Sequence, residues 1–470
     1  MNFIARTRAV PAMRPASLLP WPSSAAVKVS AIAAFLPMAL TAQAQQAASS
    51  SSPVTGGTSG SGQTVTTEVS ISAKEIFDSN LLMRSAGPQA NLDSFGTMVT
   101  PSFALKWRPS DRLWLNASYS PELATYYADH TEDYVSHKAL LNLGGALNEA
   151  KWENDNSINW VQGDSKGATY YYTGTAAPGI TPVPALAGVP LRDRADQVVY
   201  RDSFKFEQPI GDFFVRPVAS AFVQNFMTQN RLVTTTSLAN GEKEYYENYV
   251  DRADFNFGLD AGYKIQPDLG IFLGYRYGFQ EQAQVADTLA FPSYSNDYQR
   301  VLAGIEGKPA SWLTLSAAIG PDFRTFYGAY IPASFEKDRT KIYIDGSAKI
   351  TVGVNDAVIL ATKRYELPAY LGKGELDDST FDLLWRHKFT DKFAVGLGFK
   401  LENWDFDAPD RNEWWYGGNF SATYAFTEHL SGEASYGYDR VVSGLSADLA
   451  GTSNWGAERH TASLGVKYKF

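Results

Sequence analysis

The sequence predicts an all-β transmembrane barrel, antiparallel and up-and-down, of about eighteen strands with sixteen as the alternative count. Three observations predict it. Apolar residues recur with period two over segments of roughly 11 to 14 residues, longer than the five or six usual in soluble sheets. Short turns alternate along the chain with longer polar loops. The mean hydropathy is -0.25 although hydrophobic residues make up 44% of the 470. Helices in lipid need apolar runs of about 20 residues, whereas strands that show one face to lipid and the other to a lumen average near neutral.

Residues 1–44 read as a cleavable export signal. Arg6, Arg8, Arg14 and Lys28 precede an apolar segment from Val29 to Leu40, and Ala42-Gln43-Ala44 fits a small-x-small cleavage pattern. This segment carries four basic and no acidic residues, which leaves 37 basic against 50 acidic residues and a net charge of -13. Such a surface argues against nucleic acid as a partner, because phosphate binding needs a basic one. The chain has no cysteine, so no disulfide stabilises it, and a closed ring of strand hydrogen bonds is the expected substitute. Residues 45–64, rich in Ser, Gly, Thr and Gln, are a flexible linker without the apolar content to build a core.

The barrel is expected over 65–470. Its strands are predicted near 65–76, 96–107, 113–126, 135–147, 152–162, 197–208, 213–226, 249–264, 270–280, 297–308, 313–326, 339–351, 357–367, 379–389, 393–403, 413–426, 431–440 and 458–470. The segment 393–402 shows the pattern cleanly: Phe393, Val395, Leu397, Phe399 and Leu401 alternate with Ala394, Gly396, Gly398, Lys400 and Glu402. The first strand and 152–162 have the poorest apolar faces. Short turns are expected at Arg108–Arg112, Asn148–Lys151, Pro209–Asp212, Gln266–Asp268, Pro309–Ser311, Gly353–Asp356, Thr390–Lys392 and Thr427–His429, with long loops at 163–196, 227–248, 281–296 and 403–412. The loop 163–196, with four prolines, is the expected candidate for an inward fold. An even strand count leaves both termini on the short-turn side.

Aromatics gather at strand ends. Trp107, Trp312, Phe389, Phe393, Phe426 and Phe470 mark the turn side, and Tyr126, Tyr249, Phe279, Phe323, Trp404 and Trp414 the loop side. Rings with a polar tip suit the headgroup boundary. The last strand alternates His460, Ala462, Leu464, Val466, Tyr468 and Phe470 with polar or small residues, and Phe470 ends the chain. Here the chain resembles bacterial outer-membrane barrels, whose final strand ends in Phe and is read by the assembly machinery. Tyr468 and Phe470 are the residues this resemblance assigns to that signal.

The stretch Asp78-Ser79-Asn80-Leu81-Leu82 follows the first strand, and Leu113-Trp114-Leu115-Asn116-Ala117-Ser118-Tyr119 opens the next hairpin. This opening resembles the β-barrel porin 2 family, in which an Asp-x-Asn-hydrophobic stretch precedes the second strand. The resemblance covers the first quarter of the barrel. Because some members are linked to exopolysaccharide production, it implies a route for sugar polymers or small solutes. The physical role expected of Asp78 and Asn80 is an Asx-turn.

Charge on the lumen face is the candidate functional surface: Arg252, Asp254, Arg276, Arg300, Asp322, Arg324, Asp382 and Lys400. Arg252, Arg276, Arg300 and Arg324 fall on the polar faces of four successive strands. A tight turn at Lys308-Pro309 would set Arg300 near Asp322, and the same logic sets Asp382 opposite Lys400. Facing opposite charges make either a constriction with a transverse field or a wall that keeps the lumen wet. The acidic outer loops (Asp129, Glu132, Asp133; Glu242, Glu244, Glu247; Asp405, Asp407, Asp410) lack the Gly and bidentate Glu of a calcium loop, so no metal is expected. The five histidines have no zinc spacing, and neither a catalytic residue nor a cofactor is predicted. The expected function is therefore non-enzymatic: a porin-like channel for small solutes or sugars. The alternatives are an exopolysaccharide export port with a synthase complex and a closed surface-binding or lipase-like barrel. The expected place is the outer membrane of a Gram-negative bacterium with periplasmic termini. The expected partners are outer-membrane lipid, lipopolysaccharide and the barrel-assembly machinery, with polysaccharide and periplasmic export proteins for the alternative port.

Overall fold

The computed structural model describes residues 64–82, 91–164, 195–227, 250–283, 292–368, 375–407, 410–443 and 457–470. The strands are β1 (Thr64–Asp78), β2 (Ser94–Ser110), β3 (Leu113–Tyr126), β4 (Tyr134–Leu147), β5 (Ala150–Asp164), β6 (Ala195–Ile210), β7 (Phe213–Phe226), β8 (Arg252–Gln266) and β9 (Leu269–Gln282). They continue as β10 (Asn296–Ala310), β11 (Leu313–Phe326), β12 (Asp338–Val352), β13 (Asp356–Pro368), β14 (Glu375–Lys388), β15 (Phe393–Asp407), β16 (Asp410–Ala425), β17 (Leu430–Ser443) and β18 (Ala457–Lys469). Each pairs antiparallel with the next, and β18 pairs with β1 from Lys469 opposite Ser70 to Thr461 opposite Asp78. The ring is closed with eighteen strands, the count the periodicity predicts. Closure removes the open sheet edge that hydrocarbon would not tolerate.

The alternation sorts the two faces. Phe257, Leu259, Leu273, Tyr275, Ile319, Ile342, Leu464 and Val466 are exposed on the outer surface, and comparable apolar side chains recur around the ring. An apolar belt of that extent is out of place in water and at home in lipid. The intervening Asp260, Arg300, Asp322 and Lys400 turn inward and are buried.

The short turns connect β2–β3, β4–β5, β6–β7, β8–β9, β10–β11, β12–β13, β14–β15 and β16–β17. Asn148 and Gly211 supply positive φ (56° and 64°) at two of them, the backbone that matches the twist of a tight hairpin. Both termini of the barrel lie at this end, where β1 begins and β18 ends. Phe470 donates its N–H to the carbonyl of Val69 at 3.0 Å. Tyr468 stands opposite Ile71 and Leu430, with its ring edge-on to that of Phe470 at 5.1 Å.

The opening Asp-x-Asn stretch closes the ring. Asp78 Oδ1 accepts the Asn80 N–H at 3.1 Å, so the expected Asx-turn forms. Asp78 also takes Arg459 of β18 in a two-pronged pair, Nε to Oδ1 at 2.9 Å and Nη2 to Oδ2 at 2.5 Å. Asn80 Nδ2 donates to the carbonyl of Glu458 at 2.9 Å.

Three details differ from expectation at the loop end. The segment 403–412 is not a long loop: β15 runs to Asp407 and β16 starts at Asp410. Tyr126 and Trp404 do not join the outer aromatic girdle, because both point inward and are buried. In β15 the polarity of the faces reverses beyond Glu402. Trp404 and Phe406 turn inward into a cluster with Leu367, Leu376, Trp415 and Val441, while Asn403, Asp405 and Asp407 take the lipid parity. Above the lipid the outer face meets water, so the rule that keeps it apolar lapses. The signal segment, the linker before Thr64, Tyr249 and the loop 163–196 (apart from its first and last two residues) lie outside the described residues.

Candidate functional site

The residues with chemistry lie on the inner wall between β7 and β15. Strand parity turns Arg252 and Asp254 (β8), Arg276 (β9), Arg300 (β10), Asp322 and Arg324 (β11), Asp382 (β14) and Lys400 (β15) inward. Register then decides which meet. Arg300 stands opposite Arg276 on one side and Asp322 on the other. Two guanidinium groups side by side repel, and each has its own acid: Arg300 Nε bonds Asp322 Oδ2 at 3.0 Å, and Arg276 Nη1 bonds Asp260 Oδ1 at 2.6 Å. Arg324 shares Asp322 through Nη2 at 2.9 Å. Asp260 also accepts from Arg216 of β7 at 3.1 Å, and Arg216 reaches Glu306 of β10 at 3.0 Å. The wall is thus a ladder of mixed charge in which each of these arginines holds a carboxylate, as burial requires.

Arg300 is further held between two rings, 4.1 Å from the Tyr298 centroid and 4.2 Å from that of Tyr343. Such stacking suits the weakly hydrated guanidinium face. The ring of Tyr298 lies flat against the wall because Gly278 is opposite. Any Cβ there would meet Cζ and Oη of Tyr298 and, at 2.7 Å, the carbonyl of Phe255. Tyr298 donates to Asp254 at 2.6 Å, which also accepts from Gln280 at 2.8 Å. Asp382 and Lys400 form a second group across the β14–β15 pair. Lys400 Nζ sits 3.6 Å from the Trp415 ring and pairs with Glu402.

Arg252 does something the sequence did not suggest. Its Nε donates to Gln224 at 2.8 Å and its Nη1 to the carbonyl of Pro368, at the tip of β13, at 2.9 Å. Gln280 Nε2 donates to the carbonyl of Glu366 at 3.2 Å. These bonds cross from β8 and β9 to a strand five and four positions along the ring, because the β13–β14 hairpin leaves the wall. Pairing between β12 and β13 stops at Ile344 opposite Arg364, while β13 stays paired to β14 as far as Pro368 opposite Glu375. The hairpin end leans into the lumen.

Its lipid-parity face explains the lean. That face carries Arg364, Glu366, Glu375 and Asp377, and β15 adds Asp407. Turned inward, it lies on the basic inner wall. Arg339 Nη1 meets Glu366 at 3.1 Å, Glu375 at 2.8 Å, and Asp407. Lys341 Nζ meets Glu366 at 3.2 Å, and Arg324 Nε meets the same carboxylate at 3.2 Å. The three carboxylates could gather round a metal ion, since their oxygens lie within 4.8 Å of one another. The Arg339 guanidinium, which contacts all three, already supplies that positive charge. Phe335 covers Arg339 at 4.0 Å, and Tyr294 packs edge-on to Phe335 at 5.0 Å. Burial, and then the nearby Glu375 carboxylate, push the Tyr294 phenol above its ordinary range.

Sequence reasoning missed Asp260, Tyr298, Arg339, Lys341, Glu366 and Glu375. One signal was present: Glu366, Asp377, Asp405 and Asp407 fall at positions that the alternation gives to lipid.

Comparison with known proteins adds little beyond the fold. No family model matches the chain, and no curated protein does. The likeness of its opening to the β-barrel porin 2 family therefore stays a resemblance. Among solved structures the chain is similar to OpdO of Pseudomonas aeruginosa (11% identity, TM-score 0.39, covering 86% of this chain and 97% of that one). It is also similar to a loop L8 deletion mutant of OmpT, an outer membrane protein of Vibrio cholerae (13%, 0.36, 87% and 99%). A third is an anion-selective porin from Comamonas acidovorans (9%, 0.33, 87% and 100%). Likeness at this level carries no argument about solute or activity.

Proposed function

We propose that the chain is a porin-like channel of a Gram-negative outer membrane, passing small hydrophilic solutes along the charged wall of β7–β15. One observation carries the reading: a closed eighteen-strand ring has an apolar outer belt and an inner ladder of paired Arg, Asp and Glu. A ring of that strand number encloses a lumen wide enough for water, and paired ions keep a wall polar without fixing one sign of solute. Phe470 and Tyr468 end the last strand as the assembly signal, the short turns and both termini face the periplasm, and the belt contacts lipid and lipopolysaccharide. The polymer-export alternative rests on the Asp78–Asn80 resemblance, and those side chains are accounted for by ring closure.

The test is incorporation of the purified, refolded protein into planar bilayers. Stepwise ohmic conductance, with passage of small sugars in liposome swelling, is the expected result. A protein that inserts and shows neither, both as wild type and in variants that release the β13–β14 end from the opposite wall, is not a channel.

A further inference from the structure

We infer that the outer ends of β13 and β14 form a hinged gate, held across the lumen by side chains and able to swing back by zipping onto β12. This deepens the channel reading and rests on it. Three observations on described residues carry it.

First, towards β12 and across the lumen the displaced segment is held by side chains, its backbone ladder running only to β14 and, through β14, to β15 as far as Leu376 opposite Phe406. Arg252 and Gln280 hold the carbonyls of Pro368 and Glu366 on one side. Arg324, Arg339 and Lys341 hold Glu366 on the other, and Arg339 holds Glu375 as well. When the segment moves out, both partners of these pairs pass into water together, so the ties exchange for hydration without leaving one charge buried alone.

Second, a docking edge is already built. β12 extends from Ile344 out to Asp338, paired there with β11, while its pairing with β13 stops at Ile344. The register continues without a shift. Arg364 faces Ile344, so Tyr365 would face Tyr343, Glu366 would face Ile342, and Leu367 would face Lys341. Backbone bonds to β12 would then replace the bonds across the lumen.

Third, the two positions differ in electrostatics. With the hairpin in, Glu366 and Glu375 lie on Arg324, Arg339 and Lys341. With it out, those acids take the outer face, and the three cations line an unblocked lumen. The closed arrangement is therefore favoured by charge and the open one by backbone pairing. An element with two such arrangements is what a gate requires.

The absence of cysteine makes the test clean. The pairs Ile342→Cys/Glu366→Cys and Lys341→Cys/Leu367→Cys are introduced separately into the full chain, refolded in detergent and checked for the heat-dependent gel shift of an intact barrel. Oxidation should form a disulfide in at least one pair. In bilayers the oxidised form should show a step up in unitary conductance that dithiothreitol reverses. The reduced forms report the effect of losing the side chains alone. Arg252→Ala/Gln280→Ala, which removes the far anchors, should raise the fraction of time in the high-conductance state without oxidant. Failure of both pairs to cross-link, or cross-linking with unchanged conductance, overturns the gate and leaves the channel standing. If wild type and every variant insert without conducting, the channel reading falls instead.

Discussion

Asp78→Asn tests how the ring is closed. Asp78 and Arg459 are both essentially inaccessible to solvent and form a two-pronged pair between the first and last strands. Pairing of β1 with β18 starts only at Ser70 and ends at Asp78, whereas β1 pairs with β2 along its whole length from Thr64. The closing seam thus has the shorter ladder and depends more on side chains. Asparagine keeps the shape and an oxygen for the Asn80 N–H, so the Asx-turn survives and the change isolates the charge. Removing one partner of a buried ion pair costs about 3–5 kcal/mol, here towards the lower figure because Arg459 also stands opposite Asp439 of β17. At about 1.4 kcal/mol per tenfold, the folded-to-unfolded ratio falls roughly 10²- to 10³-fold or somewhat more. The assay is reversible urea unfolding in phospholipid vesicles, followed by the fluorescence of the chain's 11 tryptophans. A single variant within about 0.5 kcal/mol of wild type, the range of ordinary surface changes, would refute the seam argument.

Charge reversal at Arg276 and Arg300 together should shift the reversal potential in a salt gradient towards cation preference, and an unchanged potential would remove these residues from the conducting path. Gly278→Val should destabilise the barrel by about 1–3 kcal/mol through overpacking against Tyr298, read as a lower urea midpoint, while Gly278→Ala should cost less. Deleting Phe470 should lower the yield of folded protein in the outer membrane of cells while leaving refolding in detergent intact. Equal loss in both settings would make Phe470 a packing residue rather than an assembly signal.

The strands were legible because lipid and lumen impose a period of two on every segment that crosses. Even β1 and β5, with poor apolar faces, form where the spacing of turns requires them. The facing of Arg300 with Asp322 followed from the position of one turn. The inward lean of β13–β14 was not legible, because it depends on contacts between strands that are neither adjacent in the ring nor close in sequence. Glu366 belongs to a lipid-parity row, and only the positions of Arg339 and Lys341 show where that row goes. Trp404 misled for a related reason: an aromatic at a strand end reads as a girdle residue, yet beyond the lipid the inner face is the drier one.

The most direct test of the account labels neighbouring residues of one strand. Single cysteines at Leu273, Tyr275, Gly274 and Arg276 carry a fluorophore in vesicles whose lipid tails bear nitroxide quenchers. Quenching at 273 and 275, with water-soluble quenchers reaching only 274 and 276, is the predicted result. Equal lipid quenching at all four positions, or none at any, would contradict a barrel that turns one face of every strand to hydrocarbon and the other to a wet interior.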